Sequence, residues 1–357
     1  MYIVMDGFKN LTISNFRGID HLTMEDFARV NILVGQNNCG KSTVLEALLF
    51  ATGMSNPYLP QRLNAFRSRN IFSGVDSLKY LFRNMDLARL PRISALQFDG
   101  GTRELELSLG YKTNSTVDSG VSMLSSETQS SLNAVVLDFA VNGKKHQSYI
   151  VLNATGVVAE QHIPEAYFEK ISTVILPSDI SASNPAGDLG EIIKMQRKPS
   201  VIALLQKFDS RINALEVING NVFLGKDGMA ELIPVAMAGD GMKRYLNIIA
   251  AAANPRTNII LIDEIDNGLH YSVYMKLWEA LFALAKETNK QIFVTTHSRE
   301  ALQKLNQTLE GHPDYQNEMR LYTIENTLKK GFQAYKYTYE GLSGACENDI
   351  ELRSVAL

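Results

Sequence analysis

Gly35-Gln36-Asn37-Asn38-Cys39-Gly40-Lys41-Ser42-Thr43 follows the pattern G-x-x-x-x-G-K-[ST], a loop that wraps the phosphates of a nucleoside triphosphate. Its flanks supply the context this motif requires. Val30-Asn31-Ile32-Leu33-Val34 is an apolar, β-branched run ending at the first glycine, and Val44 to Phe50 is apolar at helical spacing. Strand, tight turn and helix start therefore follow one another. Gly35 and Gly40 can take backbone angles closed to other residues, so the loop can turn its N–H groups inward. The N-terminus of the following helix adds partial positive charge where phosphates sit. On this reading Asn37 and Asn38 fall within the nucleotide-binding loop, and Lys41 reaches the β- and γ-phosphates. The Ser42 hydroxyl ligates Mg²⁺, and Thr43 adds a phosphate contact. Cys39 holds an unconstrained position: it is either a small neutral filler or a thiol that makes nucleotide binding sensitive to modification.

A second run, Asn258-Ile259-Ile260-Leu261-Ile262-Asp263-Glu264, places four apolar residues before two acids. That pattern describes a buried parallel strand delivering carboxylates at its C-terminal edge, where open α/β sheets bind ligands. Asp263 is then a Mg²⁺ ligand, direct or through water, and Glu264 the general base that polarises the attacking water. A third run, Gln291 to Thr295, ends in Thr296-His297-Ser298. A helix and a return strand fill the interval from Glu264, so the two strands should be neighbours and His297 should face the γ-phosphate.

The chain has 357 residues, 45% hydrophobic and 20% charged, with a net charge of −3 and a pI near 6.1. These values suit a globular protein with a large core or two domains and imply no global attraction to nucleic acid. The two cysteines, Cys39 and Cys346, exclude a disulfide framework and suit a reducing cytoplasm. No stretch approaches 18 consecutive apolar residues, so no membrane association is expected. One segment is locally basic: residues 61–92 hold Arg62, Arg67, Arg69, Lys79, Arg83, Arg89 and Arg92 with interleaved Phe66, Phe72, Tyr80 and Phe82. It is either a nucleic-acid or acidic-partner surface or a solvated face.

Along the chain, residues 9–16 and 29–34 read as strands, 44–52 as helix, and 53–102 as loop-rich with a helical stretch near 76–86. Strands are predicted at 103–111, 133–142, 146–152 and 172–177. Residues 112–132 and 179–190 read as loops, 199–216 as a helix, and 216–234 as a hairpin turning at Gly225 to Gly228. From 239 helices and strands alternate regularly: helices 241–253, 271–288 and 298–306, strands 258–262 and 291–295. Two more strands follow near 319–339. The expected organisation is an α/β nucleotide-binding core in two parts, 1–52 and 236–357, bracketing an α+β insertion at 53–235.

Taken together these motifs resemble the ABC-type ATPase superfamily, and within it the OLD-type (overcoming lysogenization defect) branch related to RecF and the SMC repair ATPases. The carriers are Ile13 to Gly18, the phosphate loop, Ile262 to His270, and Thr295 to Ser298, which lie in residues 9–50 and 236–300, roughly a third of the chain. The resemblance implies an ABC-type P-loop fold with a mixed sheet, ATP and Mg²⁺ as ligands, and a head-to-tail homodimer. Each ATP would lie between one phosphate loop and the partner's signature loop. The matching stretch here is Ala238-Gly239-Asp240-Gly241, which departs from the usual Ser-Gly-Gly; Asp240 would contact the ribose or cap the helix. Asn267 and Gly268 sit where the family places its inter-subunit contact loop. Arg17 is either a nucleotide contact or a surface arginine. Gln97 is the candidate for the family's magnesium-contacting glutamine.

After His297 the remaining residues are too few for the metal-dependent nuclease (Toprim) domain that several OLD-type proteins carry, and there is no long heptad run. The acids Glu347, Asp349 and Glu351 read as exposed. The functional expectation is an ATP-driven switch acting on a separately encoded effector, plausibly a nuclease, an arrangement that often serves phage defence in this family. A RecF-like DNA-binding repair ATPase is the alternative. The insertion shows no metal-ligand spacing around His146 or His162 for a nuclease of its own, and the absent standard signature argues against a transporter subunit.

Overall fold

The computed structural model describes residues 5–67, 75–113, 116–118, 133–153, 157–179 and 184–354. The chain opens with a hairpin, β1 (Phe8–Phe16) and β2 (Ile19–Met24), then β3 (Val30–Val34), whose five residues are all buried. The phosphate loop leads into α1 (Lys41–Thr52), and a second helix, α2 (Leu59–Arg67), lies in the segment read as loop-rich. Pro60 sits in its first turn, where the missing N–H costs nothing. Two 3-10 turns, Val75–Leu81 and Arg83–Met85, occupy the predicted helical stretch. Strands β4 (Arg92–Gln97), β5 (Thr102–Thr113), β6 (Thr116–Asp118), β7 (Ala134–Val141), β8 (Lys144–Leu152) and β9 (Val158–His162) follow. Most of the predicted 112–132 loop, with Arg69 and Phe72 of the basic stretch, lies outside the described residues.

β10 (Thr173–Leu176) precedes α3 (Ala186–Lys194) and α4 (Lys198–Phe208). The predicted 199–216 helix is thus too long, and the predicted 179–190 loop is helical from Ala186. Ile212 and Leu215 continue the helical spacing of Phe208, but both are buried in a strand, β11 (Ile212–Ile218). β11 turns at Asn219-Gly220 into β12 (Asn221–Lys226), so the hairpin's first turn falls earlier than predicted; β13 (Ile233–Pro234) completes a small sheet. The C-terminal part alternates as read: α5 (Asp240–Ala253), β14 (Ile259–Ile262), α6 (Tyr274–Glu287), β15 (Gln291–Thr295), α7 (Arg299–Gly311), α8 (Pro313–Gln316), β16 (Met319–Thr327), β17 (Gly331–Tyr337) and α9 (Tyr339–Glu347).

Among the described residues the core sheet has the order β10-β14-β15-β3-β16-β17, parallel except for β17. A second, antiparallel sheet has the order β2-β1-β4-β5-β7-β8-β9, with β6 on β5. The segment between 92 and 162 therefore extends the sheet that β1 and β2 begin, while β10 returns to the core sheet. This is a mixed α/β P-loop architecture.

The two-residue period of the strands splits the core in two. Ile32, Val34, Ile260, Ile262 and Val294 point to one face, where α5, α6, α7 and α9 cover them. Leu33, Ile259, Leu261 and Phe293 point to the other, where α1 is sandwiched against Leu11, Ile13, Leu107 and Leu137 of the antiparallel sheet. That sandwich explains why α1 is buried on nearly every side and has no polar stripe. At the N-terminal end of β15, the Gln291 amide stitches the two sheets together. Its Oε1 accepts from Phe8 N at 2.8 Å and its Nε2 donates to Phe8 O at 2.7 Å.

Candidate functional site

The C-terminal ends of β3, β14 and β15 converge on a cleft of about 570 Å³ lined by the loop residues Asn37, Asn38 and Gly40 to Thr43, by Glu264, Asp266 and Asn267, and by Arg67 and His297. The loop has the conformation its glycines permit. Gly35 has φ +148°, and a Cβ there would lie 2.4 Å from Ile324 O and 2.5 Å from Cys39 Sγ. Gly40 caps α1 with φ +96°, and the helix carries no acid in its first turn, leaving its N-terminal N–H groups fit for an anion.

Lys41 is 5% exposed and folds back onto its own loop, donating to Gly35 O at 3.0 Å and Gln36 O at 2.8 Å. Burial pulls its pKa down, against the opposing pull of Cys39, Asp263 and Glu264. Cys39 is buried with Sγ 3.6 Å from the ammonium, and burial raises its thiol pKa despite that neighbour. Ser42 Oγ donates to Asp263 Oδ1 at 3.0 Å. The Thr295 hydroxyl donates to the same oxygen at 2.7 Å and accepts from Glu264 N at 2.7 Å. Thr295 therefore fixes both acids at once. Glu264 takes φ +50°, a left-handed conformation uncommon for a residue with a side chain. His297 Nε2 stands 3.6 Å from Glu264 Oε1, with both side chains about a third exposed to the cleft (32% and 39%). Thr296 Oγ1 donates to Asp266 Oδ1 at 2.5 Å, tying the loop after β15 to the loop after β14.

Two sequence candidates lie elsewhere. Gln97 ends β4 opposite Phe8 of β1. Because β4 runs antiparallel to β1, this end lies beside Gln291, at the far end of β15 from Thr295. Gln97 is therefore not brought to the cleft. Arg17 is buried against Glu46 of α1, Nε to Oε2 2.5 Å; desolvation lowers its pKa and Glu46 opposes the shift. It ties the end of β1 to α1 and does not line the cleft. Arg67 does: it forks onto Glu46 with Nε–Oε1 2.7 Å and Nη2–Oε2 3.1 Å, and donates to Thr43 Oγ1 at 3.2 Å. The sequence marked Arg67 only as one charge among many. Three more arginines of that stretch are engaged within the chain: Arg83 with Gly18 O, Arg89 with Asp86 and Arg92 with Glu106.

Gly239, Asp240 and Gly241 form the start of α5, outside this cleft. Gly239 is the N-cap with φ +86°, while the Asp240 side chain is 72% exposed and pairs with Lys243 at 3.1 Å, so Asp240 makes no cap. The same helix carries a group the sequence reading left without a role. Arg244 is 0% exposed and donates to Pro177 O at 2.7 Å, Asp263 O at 2.5 Å and Glu264 O at 3.0 Å. Burial lowers its pKa, opposed first by Asp263. One arginine thus ties α5 to the backbone that presents both acids. An arginine just before the largely apolar run from Tyr245 to Ala253 was the available signal.

Two family models match the chain: "AAA ATPase domain" over residues 8–145 and "AAA domain, putative AbiEii toxin, Type IV TA system" over residues 157–302. An ATP/GTP phosphatase of Helicobacter pylori is 26% identical over 347 residues, covering 89% of this chain and 92% of that protein. A solved SMC head bound to the C-winged helix domain of ScpA superposes with a TM-score of 0.51 at 13% identity, over 94% of this chain and 99% of that one. The chain is a P-loop ATPase with an SMC-head-like fold. The ATPase hydrolyses ATP, and the cleft at the phosphate loop is its candidate active site. Ser42 Oγ and Asp263 Oδ1, two oxygen donors at hydrogen-bond distance, make a donor set that suits Mg²⁺. None of the described helices is long and apolar enough to cross a membrane.

Proposed function

We propose that this ATPase is an OLD-like molecular switch: ATP closes a head-to-tail homodimer, hydrolysis opens it, and a separately encoded effector, a nuclease acting in phage defence, responds. The observation that carries the reading is the convergence on one cleft of Lys41, Ser42, Asp263, Glu264 and His297, while the glycine-rich start of α5 faces outward with Asp240 exposed. Lys41 would exchange its loop carbonyls for phosphate oxygens. Ser42 and Asp263 would hold Mg²⁺, which neutralises phosphate charge when bound. Glu264 would take the proton of the attacking water, and His297 would report the γ-phosphate. The N–H groups at Gly239 to Gly241 suit a phosphate presented by a second copy. The toxin–antitoxin family matched over 157–302 and the ScpA-bound SMC head both support a partner-coupled role.

The test is the solution mass of Glu264→Gln by light scattering with and without Mg-ATP. Nucleotide-dependent dimer formation is expected. A monomer unmoved by saturating ATP would sink the head-to-tail reading.

A further inference from the structure

The stretch Glu351 to Arg353 runs back across the loop that carries His297. Leu352 anchors it: the side chain is 7% exposed within the core that packs α7 and α9, and its carbonyl accepts from the buried Thr323 hydroxyl at 2.5 Å. The anchor fixes Arg353 beside the catalytic loop, where its Nη1 donates to His297 O at 2.8 Å. The rest of the guanidinium is occupied by Glu351, Nε–Oε1 2.7 Å and Nη2–Oε2 2.5 Å, and Glu351 Oε1 also accepts from Arg353 N at 2.9 Å. Both ends of the fork are therefore oriented, one by a carboxylate and one by the histidine's carbonyl. On the other side of that peptide, Ser298 N donates to Thr296 Oγ1 and the Ser298 hydroxyl caps α7.

An ion pair this exposed, 35% and 42%, adds little to stability. Its placement matters more than its strength, because pinning the carbonyl fixes the backbone from which the imidazole projects, and a displacement near 1 Å can cost ~10²-fold in rate. We propose that Arg353 is a positioning residue for ATP hydrolysis: it holds the His297 carbonyl so that the imidazole stays directed at Glu264 and the cleft. The inference rests on the role given to His297 above.

The test is a double-mutant cycle on turnover and ATP affinity, with melting temperature as the folding control. Arg353→Ala is expected to lower kcat by about tenfold with ATP affinity unchanged, and Arg353→Lys to restore part of the loss. In a His297→Ala background, Arg353→Ala should add almost nothing. An undiminished loss in that background, or no loss in the single variant, would overturn the proposal. Wild-type turnover in His297→Ala alone would remove the histidine's role and this inference with it. A loss in His297→Ala with none in Arg353→Ala would remove only the inference. Should Arg353→Ala fail to fold, Glu351→Gln frees the fork instead and is expected to give a smaller loss with the same non-additivity.

Discussion

Lys41 and Lys290 stand at opposite ends of the same parallel sheet, each almost wholly buried and each donating to two backbone carbonyls. Lys41 reaches Gly35 O and Gln36 O; Lys290 reaches Asn254 O and Thr257 O, the latter at 2.9 Å. Burial lowers the pKa of both, that of Lys290 to about 8. The difference lies in what surrounds the carbonyls. Those of Lys41 belong to a loop lining an open cleft, so the ammonium can trade them for anionic oxygens. Those of Lys290 close the junction between α5 and β14, where it is 0% exposed. Burial and hydrogen bonding alone do not make a catalytic lysine; an exchangeable partner does.

The comparison breaks if the two ends respond alike to mutation. Lys41→Ala removes the charged donor to the phosphates and is expected to weaken ATP binding ~100-fold or more, roughly 2.7 kcal/mol; near-normal affinity by calorimetry would refute the site. Glu264→Gln should bind ATP within about twofold of wild type while kcat falls by roughly 10² to 10⁴; retained turnover would show that another group is the base. Arg67→Ala, which strips a cation from the cleft wall, should weaken ATP binding by about tenfold. Lys290→Met should leave ATP affinity unchanged and cost about 1–2 kcal/mol of stability by orphaning two carbonyls; a changed nucleotide affinity would erase the distinction between the two ends.

A pH dependence tests the same lysine. The folded Lys290 releases its proton near pH 8, while the unfolded lysine keeps it to about 10.5. Between those values the unfolded chain binds more protons, so stability rises with pH. Below pH 8 both states are protonated and the burial cost is fully present. The stability of wild type relative to Lys290→Met, followed by denaturant titration, should therefore increase from pH 8 to 10 and stay flat from pH 6 to 7.5.

Sequence patterns local to one element were legible. The phosphate loop, the acids after β14 and His297 after β15 each follow a buried apolar strand, and periodicity finds such strands. What escaped was set by distant packing. Arg17 was a candidate and Arg67 only one charge among many, yet both pair with Glu46 and it is Arg67 that lines the cleft; Gln97 looked plausible until the antiparallel run of β4 carried it to the wrong end. Arg244 and Arg353 act on backbone carbonyls 19 and 56 residues away, which no local pattern encodes. The end of α4 was missed because Ile212 and Leu215 keep helical spacing, and only a register shift between Ile212 and Ala214 lets both be buried in a strand of two-residue period.

The left-handed backbone at Glu264 has a consequence for any survey of substitutions there. Gly, Asn and Asp enter that conformation readily, whereas Val, Ile and Thr resist it. A library randomised at position 264 would thus be sorted first by foldability and only afterwards by proton-transfer ability. Dead variants with β-branched side chains would say nothing about the chemistry, and a soluble, inactive Asn variant would be more informative than any number of insoluble ones.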